Sequence, residues 1–263
     1  MMTRKYKGYL ANSQGQKLVE DDLCIEQPLR LQINGEPLSI TMCSPGEEEF
    51  LLRGLMWGED IFKVKTPHPS FEITEASDDI PKTINAIIPP EMVGKGIVNS
   101  RQLLSVASCG ICGRQDFLPP RAGALKTDNE LCLEASWIHG LYEKMEKFQE
   151  GFRKAGGSHA AAIFNRDGNM LALSEDIGRH NAVDKAVGKL LFDECLGDAS
   201  YLLVSGRISY EIVAKCFSAG VPVLASISAP SSLSVDFALE LGIHLLAFCR
   251  DDRFTLYSTD QLA

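Results

Sequence analysis

At 263 residues, 45% of them hydrophobic and 23% charged, the chain is long enough for one large domain or two modest ones with an ample core. Its net charge of −9 argues against nucleic acid as the main partner, while leaving room for a nucleotide held by a few local arginines. Met1 to Leu18 is polar and basic with no apolar core, and no run approaches the about 18 apolar residues of a membrane span. Neither a signal peptide nor a membrane segment is expected, and the eight cysteines are assigned to a reducing cytoplasm.

Leu29–Ile33 and Leu38–Met42 flank Asn34-Gly35, a hairpin signal. Glu47-Glu48-Glu49 opens a short helix through Met56, with acids at its positive end. Phe71–Glu75 and Thr83–Ile88 read as strands, so residues 1–107 form a smaller, β-rich N-terminal domain. Residues 108–130 carry glycine, proline and arginine with little periodicity and read as an exposed, flexible loop. In 131–263, Leu131, Ala135, Ile138, Tyr142, Met145, Phe148 and Phe152 recur at helical spacing, predicting one long helix ended by Gly156-Gly157. Ala160–Phe164 and Met170–Leu173 flank Asp167-Gly168 as a second hairpin. A helix over 180–194 follows, with Val183, Val187, Leu190 and Leu191 inward. Strands at 201–204, 221–226, 243–248 and 254–257 then alternate with helices at 210–219 and 233–241, which implies an α/β sheet covered on both faces.

Cys109-Gly110-Ile111-Cys112-Gly113 is the chemically densest segment. Thiolate is the reactive form of cysteine, and the flanking glycines remove bulk so that sulfur or metal can approach. Three chemistries fit it: half of a zinc site, a disulfide redox pair, or a carrier that holds sulfur as a persulfide. A loop whose cysteines do nothing fits as well.

Parallel strands gather their following loops at one edge, where α/β proteins bind ligands. Here that edge collects Ser205-Gly206-Arg207, Ser228-Ala229-Pro230-Ser231-Ser232 and Cys249-Arg250-Asp251-Asp252-Arg253. Hydroxyls, helix N-termini and arginines suit a phosphate, although Ser209, Ser231 or Ser232 can equally be helix caps. In Glu175–Lys185, a bland account has Asp184 holding a buried His180, and a functional one turns Arg179 and His180 toward a ligand.

Ser108–Arg114, Gly156–Ala161, Glu175–Lys185, Ser205–Glu211, Ser228–Ser232 and Phe248–Arg250, in this order, resemble the blocks of the FdhD/NarQ family of formate dehydrogenase accessory sulfurtransferases. The resemblance implies a cytidine-deaminase-like mixed sheet with flanking helices in the C-terminal half, and a homodimer. It implies that sulfur comes from a cysteine desulfurase and passes to the molybdenum cofactor, as bis-molybdopterin guanine dinucleotide, for the formate dehydrogenase catalytic subunit. Cys109 matches the persulfide carrier and Cys112 its partner. The family's cofactor segment falls on Phe248, Cys249, Arg250, Asp251, Asp252 and Arg253. The edge-loop reading adds Arg207 and Ser231 as cofactor contacts, and the functional account of Glu175–Lys185 adds Arg179 and His180, with GDP as a mimic. Family members often have glycine where this chain has Asp251-Asp252, and carboxylates there repel a diphosphate.

Zinc deamination needs H-x-E and P-C-x-x-C, and neither occurs. A zinc site on Cys109 and Cys112 lacks a second cysteine pair, so no metal is expected. A non-catalytic chaperone that holds the cofactor while its cysteines bind metal or are dispensable remains the alternative to a sulfurtransferase.

Overall fold

The computed structural model describes residues 2–77, 81–94, 124–125 and 131–258. Its N-terminus departs from the sequence reading, which assigned no element there. Thr3–Asn12 (β1) and Gly15–Cys24 (β2) pair antiparallel as a separate two-stranded ribbon. Charges face one another across it, as in Lys5–Glu20 at 3.1 Å, and Tyr9, Leu10 and Leu18 are exposed. Neither face buries a periodic apolar set, so alternation gave no signal.

The next strands follow their pattern. Gln27–Ile33 (β3) buries Leu29, Leu31 and Ile33 on one face. Glu36–Cys43 (β4) returns through Asn34 and Gly35, whose φ of 51° and 81° suit the two-residue turn that a right-twisted hairpin favours. Ser70–Thr74 (β5) and Lys82–Ile87 (β6) complete a four-stranded sheet ordered β4-β3-β6-β5, with β3 and β6 parallel. Glu48–Gly58 (α1) lays Leu51, Leu52 and Met56 on its inner face.

The predicted long helix is two: Ala135–Glu146 (α2) and Glu150–Ala155 (α3). The Glu175 carboxylate accepts from Gly151 N at 2.7 Å and Phe152 N at 2.8 Å, so the first turn of α3 finds its partner outside the helix. Phe148 and Phe152, expected inward, are exposed.

His159–Phe164 (β7) and Met170–Asp176 (β8) form the second hairpin, followed by Arg179–Phe192 (α4). Tyr201–Val204 (β9), Tyr210–Ser218 (α5), Val223–Ser226 (β10), Ser232–Leu241 (α6), His244–Arg250 (β11) and Arg253–Tyr257 (β12) complete the chain. The second sheet is ordered β12-β11-β10-β9-β7-β8: β9, β10 and β11 are parallel, with antiparallel strands on either side. β9 and β10 are buried throughout, as expected for strands covered on both faces. Val183, Leu190, Ile212 and Ala238 from α4, α5 and α6 cover one face; Ile138, Leu141 and Met145 from α2 cover the other.

The two sheets are joined through α1 against α4. A Cβ built at Gly54 would overlap the carbonyl of Asp184, and one at Gly188 the carbonyl of Phe50. The helix backbones therefore touch at two points, one turn apart on each helix. Beneath that seam, Lys185 Nζ binds Asp176 Oδ2 at 2.7 Å and Ser44 O at 3.0 Å, and Ser44 N donates to Asp176 Oδ2 at 3.0 Å. Asn181 Nδ2 adds bonds to Met42 O and Asp176 Oδ1.

Leu125, inside the segment read as an exposed loop, is half-buried and donates its N–H to Leu241 O at 2.8 Å. Among the described residues no helix is long and apolar enough to cross a membrane.

Substituting Gly188→Ala should lower unfolding stability by at least about 1–3 kcal/mol, because a backbone carbonyl has no rotamer with which to yield. Gly197→Ala, where nothing lies within 4 Å of the new Cβ, should stay within about 0.5 kcal/mol of wild type. Urea unfolding of the two variants checks the difference.

Candidate functional site

The loops that follow β9, β10 and β11 are bonded to one another. Ser226 Oγ donates to Gly206 O at 2.7 Å and accepts from Ser228 N at 2.9 Å. Ile208 N donates to Ala229 O at 3.1 Å, and Ser231 N to Ile208 O at 3.0 Å. Phe248 N donates to Ser228 O at 3.1 Å, and Arg250 Nε to Ile227 O at 2.9 Å. One continuous edge results, running from the start of β7 to the β11–β12 turn.

At its β7 end, α4 places Arg179 and His180 in its first turn. His180 Nε2 lies 2.8 Å from Glu211 Oε2 and 3.1 Å from Ser209 Oγ. Arg179 Nε is solvent-excluded with no hydrogen-bond partner among the described residues. Arg207 is exposed on the loop between β9 and α5. Asp184 does not hold His180 as the bland reading expected. It takes Lys215 Nζ at 2.6 and 2.8 Å, because Lys215 on α5 faces the same buried side of α4. Burial pushes the Asp184 carboxyl up, while Asp184 raises Lys215 against its own burial.

In the middle, Ser231 is the N-cap of α6, its Oγ accepting from Ser234 N at 3.2 Å. Ser209 occupies the corresponding position of α5 without a side-chain cap, leaving its hydroxyl on His180.

At the β11 end, three of six consecutive residues take left-handed backbone: Phe248 at φ 57°, Asp251 at 51° and Asp252 at 54°. Asp251 and Asp252 are the two turn residues between paired Arg250 and Arg253, where φ > 0 is required at both. Aspartate tolerates this conformation better than most residues, whereas phenylalanine does so only at a cost. Phe248, Arg250, Asp251, Asp252 and Arg253 are exposed. Cys249 points the other way, into the apolar cluster with Ile138 and Tyr142, and burial pushes its thiol up to about 11. Its side chain is thus turned from the edge. His139, Tyr142, Arg250, Asp252 and Arg253 line a shallow cleft at this end, with His139 Nδ1 4.0 Å from Asp252 Oδ1.

The structure therefore brings together Arg179, His180, Arg207, Ser231 and the 248–253 turn along one edge. Cys109 and Cys112 lie outside the described residues. Among the described residues no three His, Cys, Asp or Glu side chains gather as a metal site. Sequence reasoning passed over His159, the first residue of β7, which lies against Gly206 and Arg179. A lone histidine opening a strand carries no periodic signal; its place beside Ser158 in a quoted block was the one available hint.

This arrangement defines a mixed α/β protein whose edge, exposing Arg207, Arg250 and Arg253, is built from five of the six ordered sequence blocks. The FdhD/NarQ family model matches residues 24–262, and the chain belongs to that family. It is 37% identical over 246 residues to a sulfur carrier protein FdhD of Streptomyces avermitilis, covering 90% of this chain and 87% of that one. The protein of the same name from Thermoplasma acidophilum is 40% identical over 261 residues, with 95% and 89% covered. A crystal structure of a proposed formate dehydrogenase accessory protein from Desulfotalea psychrophila superposes with a TM-score of 0.74 at 22% identity, covering 99% of both chains. That likeness shows the fold.

Replacing Phe248 by glycine should leave stability within about 1 kcal/mol of wild type, since relief of the left-handed backbone offsets the added freedom of the unfolded chain. Urea unfolding measures this; a loss above about 2 kcal/mol would mean that the ring, 44% exposed, holds the fold rather than a ligand.

Proposed function

We propose that this protein is a sulfur carrier serving formate dehydrogenase, working as a persulfide relay. Cys109 thiolate attacks the outer sulfur of a cysteine desulfurase persulfide. A new S–S bond forms on Cys109, the old one breaks, and the desulfurase cysteine leaves as thiolate. Cys112 thiolate either attacks the Cys109 sulfur, closing a Cys109–Cys112 disulfide as the outer sulfur leaves as sulfide, or takes the outer sulfur itself with Cys109 leaving as thiolate. The sulfur then passes to the molybdenum cofactor, as bis-molybdopterin guanine dinucleotide, which lies along the edge from Arg179 to Arg253 before insertion.

The observation that carries this reading is the family match across residues 24–262, shared with relatives named sulfur carrier protein FdhD, in a chain that keeps the Cys109–Cys112 pair. Two further observations support its parts. The edge joins three loops and exposes Arg207, Arg250 and Arg253 on a chain of net charge −9, which suits a local anion. The six described cysteines are all free thiols, in keeping with a reducing cytoplasm. The cytidine-deaminase-like reading of the C-terminal half comes with the family resemblance, and the mixed sheet with helices on both faces supports it. The homodimer belongs to the same proposal, supported by Tyr9, Leu10, Phe148 and Phe152 left exposed.

Incubation with a cysteine desulfurase and radiolabelled cysteine should label wild type and Cys112→Ala but not Cys109→Ala, read by non-reducing gel and intact mass. No label on wild type, with guanine nucleotide still bound, would instead make this protein a cofactor chaperone. Arg207→Ala should weaken GDP binding by about tenfold, the loss of one charge-assisted contact, without changing sulfur uptake. Unchanged GDP affinity in calorimetry removes Arg207 from the site.

A further inference from the structure

We propose that His159, Arg179 and Arg207 form a seat for a phosphate or diphosphate group at the β7 end of the edge, and that His159 takes up a proton when the anion binds. This deepens the nucleotide reading of the edge and rests on it for location only; the seat requires no guanine.

The geometry comes from three elements. His159 opens β7, Arg179 opens α4, and Gly206-Arg207 follows β9. A Cβ at Gly206 would stand 3.0 Å from His159 Nδ1 and 3.3 Å from Arg179 Cβ, so loop, imidazole and arginine are in direct juxtaposition. Arg179 Nε is removed from solvent without a hydrogen-bond partner among the described residues. A buried donor left unmet is unfavourable, and an acceptor oxygen placed there relieves it. Among the described residues, neither Arg179 nor Arg207 has a carboxylate partner. Two acids of this end are engaged elsewhere: Glu211 with His180, and Asp176 with Lys185. Two guanidinium groups with no carboxylate partner among the described residues thus act on one imidazole, and an anion with several acceptor oxygens meets their donors.

The groups facing His159 are Arg179 and His180 from α4, Arg207 from the β9 loop and Asp176 at the end of β8. Burial first, and then the cations Arg179, His180 and Arg207, hold the imidazole below its usual range; Asp176 opposes them. In the free protein His159 is therefore neutral near neutral pH. A bound anion reverses the local field and favours the imidazolium, which then donates to it. By linkage the anion binds more tightly as pH falls.

Histidine ring resonances followed by NMR across pH, with and without inorganic pyrophosphate and with and without GDP, test this. His159 is assigned by its loss in His159→Gln, or by ring-to-backbone contacts in wild type if that variant does not fold. The expected result is a rise of about one unit or more in the His159 midpoint on adding pyrophosphate, abolished in Arg207→Ala. Pyrophosphate or GDP binding that leaves His159 unmoved overturns the seat but not the nucleotide site. A shift with pyrophosphate and no binding of GDP keeps the seat and removes the guanine reading. No binding of either overturns both.

Discussion

The contact between α1 and α4 is the constraint on which the rest depends. Gly54 and Gly188 let the two helices meet backbone to backbone, at Asp184 and Phe50. This closeness carries the end of β4 onto the β8–α4 turn, where Asp176, Lys185 and Ser44 close a buried network. Buried charges are tolerated when paired and fully bonded, and breaking such a pair costs about 3–5 kcal/mol. Here Asp176 Oδ1 also accepts from Gly178 N at 2.8 Å and Asn181 Nδ2 at 2.9 Å, so its lone pairs are spent. The same bonds fix the chain immediately before Arg179, which sets where the first turn of α4 enters the edge.

That accounts for the density of polar residues in Glu175–Lys185. Sequence reasoning weighed a single bland role against a single functional one, and the segment divides between them. Glu175, Asp176, Asn181, Asp184 and Lys185 are buried and bonded within the protein. Arg179 and His180, between them, face the edge loops. A helical period of three and four cannot separate these sets when α4 is covered by the sheet on one side and by α1 on the other. Both faces are then interior, and amphipathicity disappears.

Elsewhere legibility followed burial on one side. Leu29, Leu31 and Ile33 alternate because only one face of β3 meets the core, and the Asn34-Gly35 turn was readable from its chemistry. The β9, β10 and β11 runs were readable as buried strands, and hence so was the gathering of their loops. The N-terminal ribbon was not, because charged cross-strand pairs stabilise it without a dry face. The break between α2 and α3 was hidden for another reason. Leu131 to Phe152 keeps helical spacing through the break, and the partner of the second helix, Glu175, is 24 residues from Gly151.

The Asp251-Asp252 departure from the expected glycine has a conformational explanation with an electrostatic consequence. Both residues sit at φ near 50°, which glycine accepts freely and aspartate tolerates. The turn is therefore kept, and what changes is the charge at the β11 end. The two carboxylates there offset Arg250 and Arg253, while Phe248 offers an exposed ring beside them. The β7 end has the opposite balance, with Arg179 and Arg207 lacking carboxylate partners among the described residues. The ends lie three strand spacings apart, roughly 14 Å. On the proposed reading, a nucleotide with a base at one end and phosphate at the other matches a strip of that polarity with its phosphate toward His159.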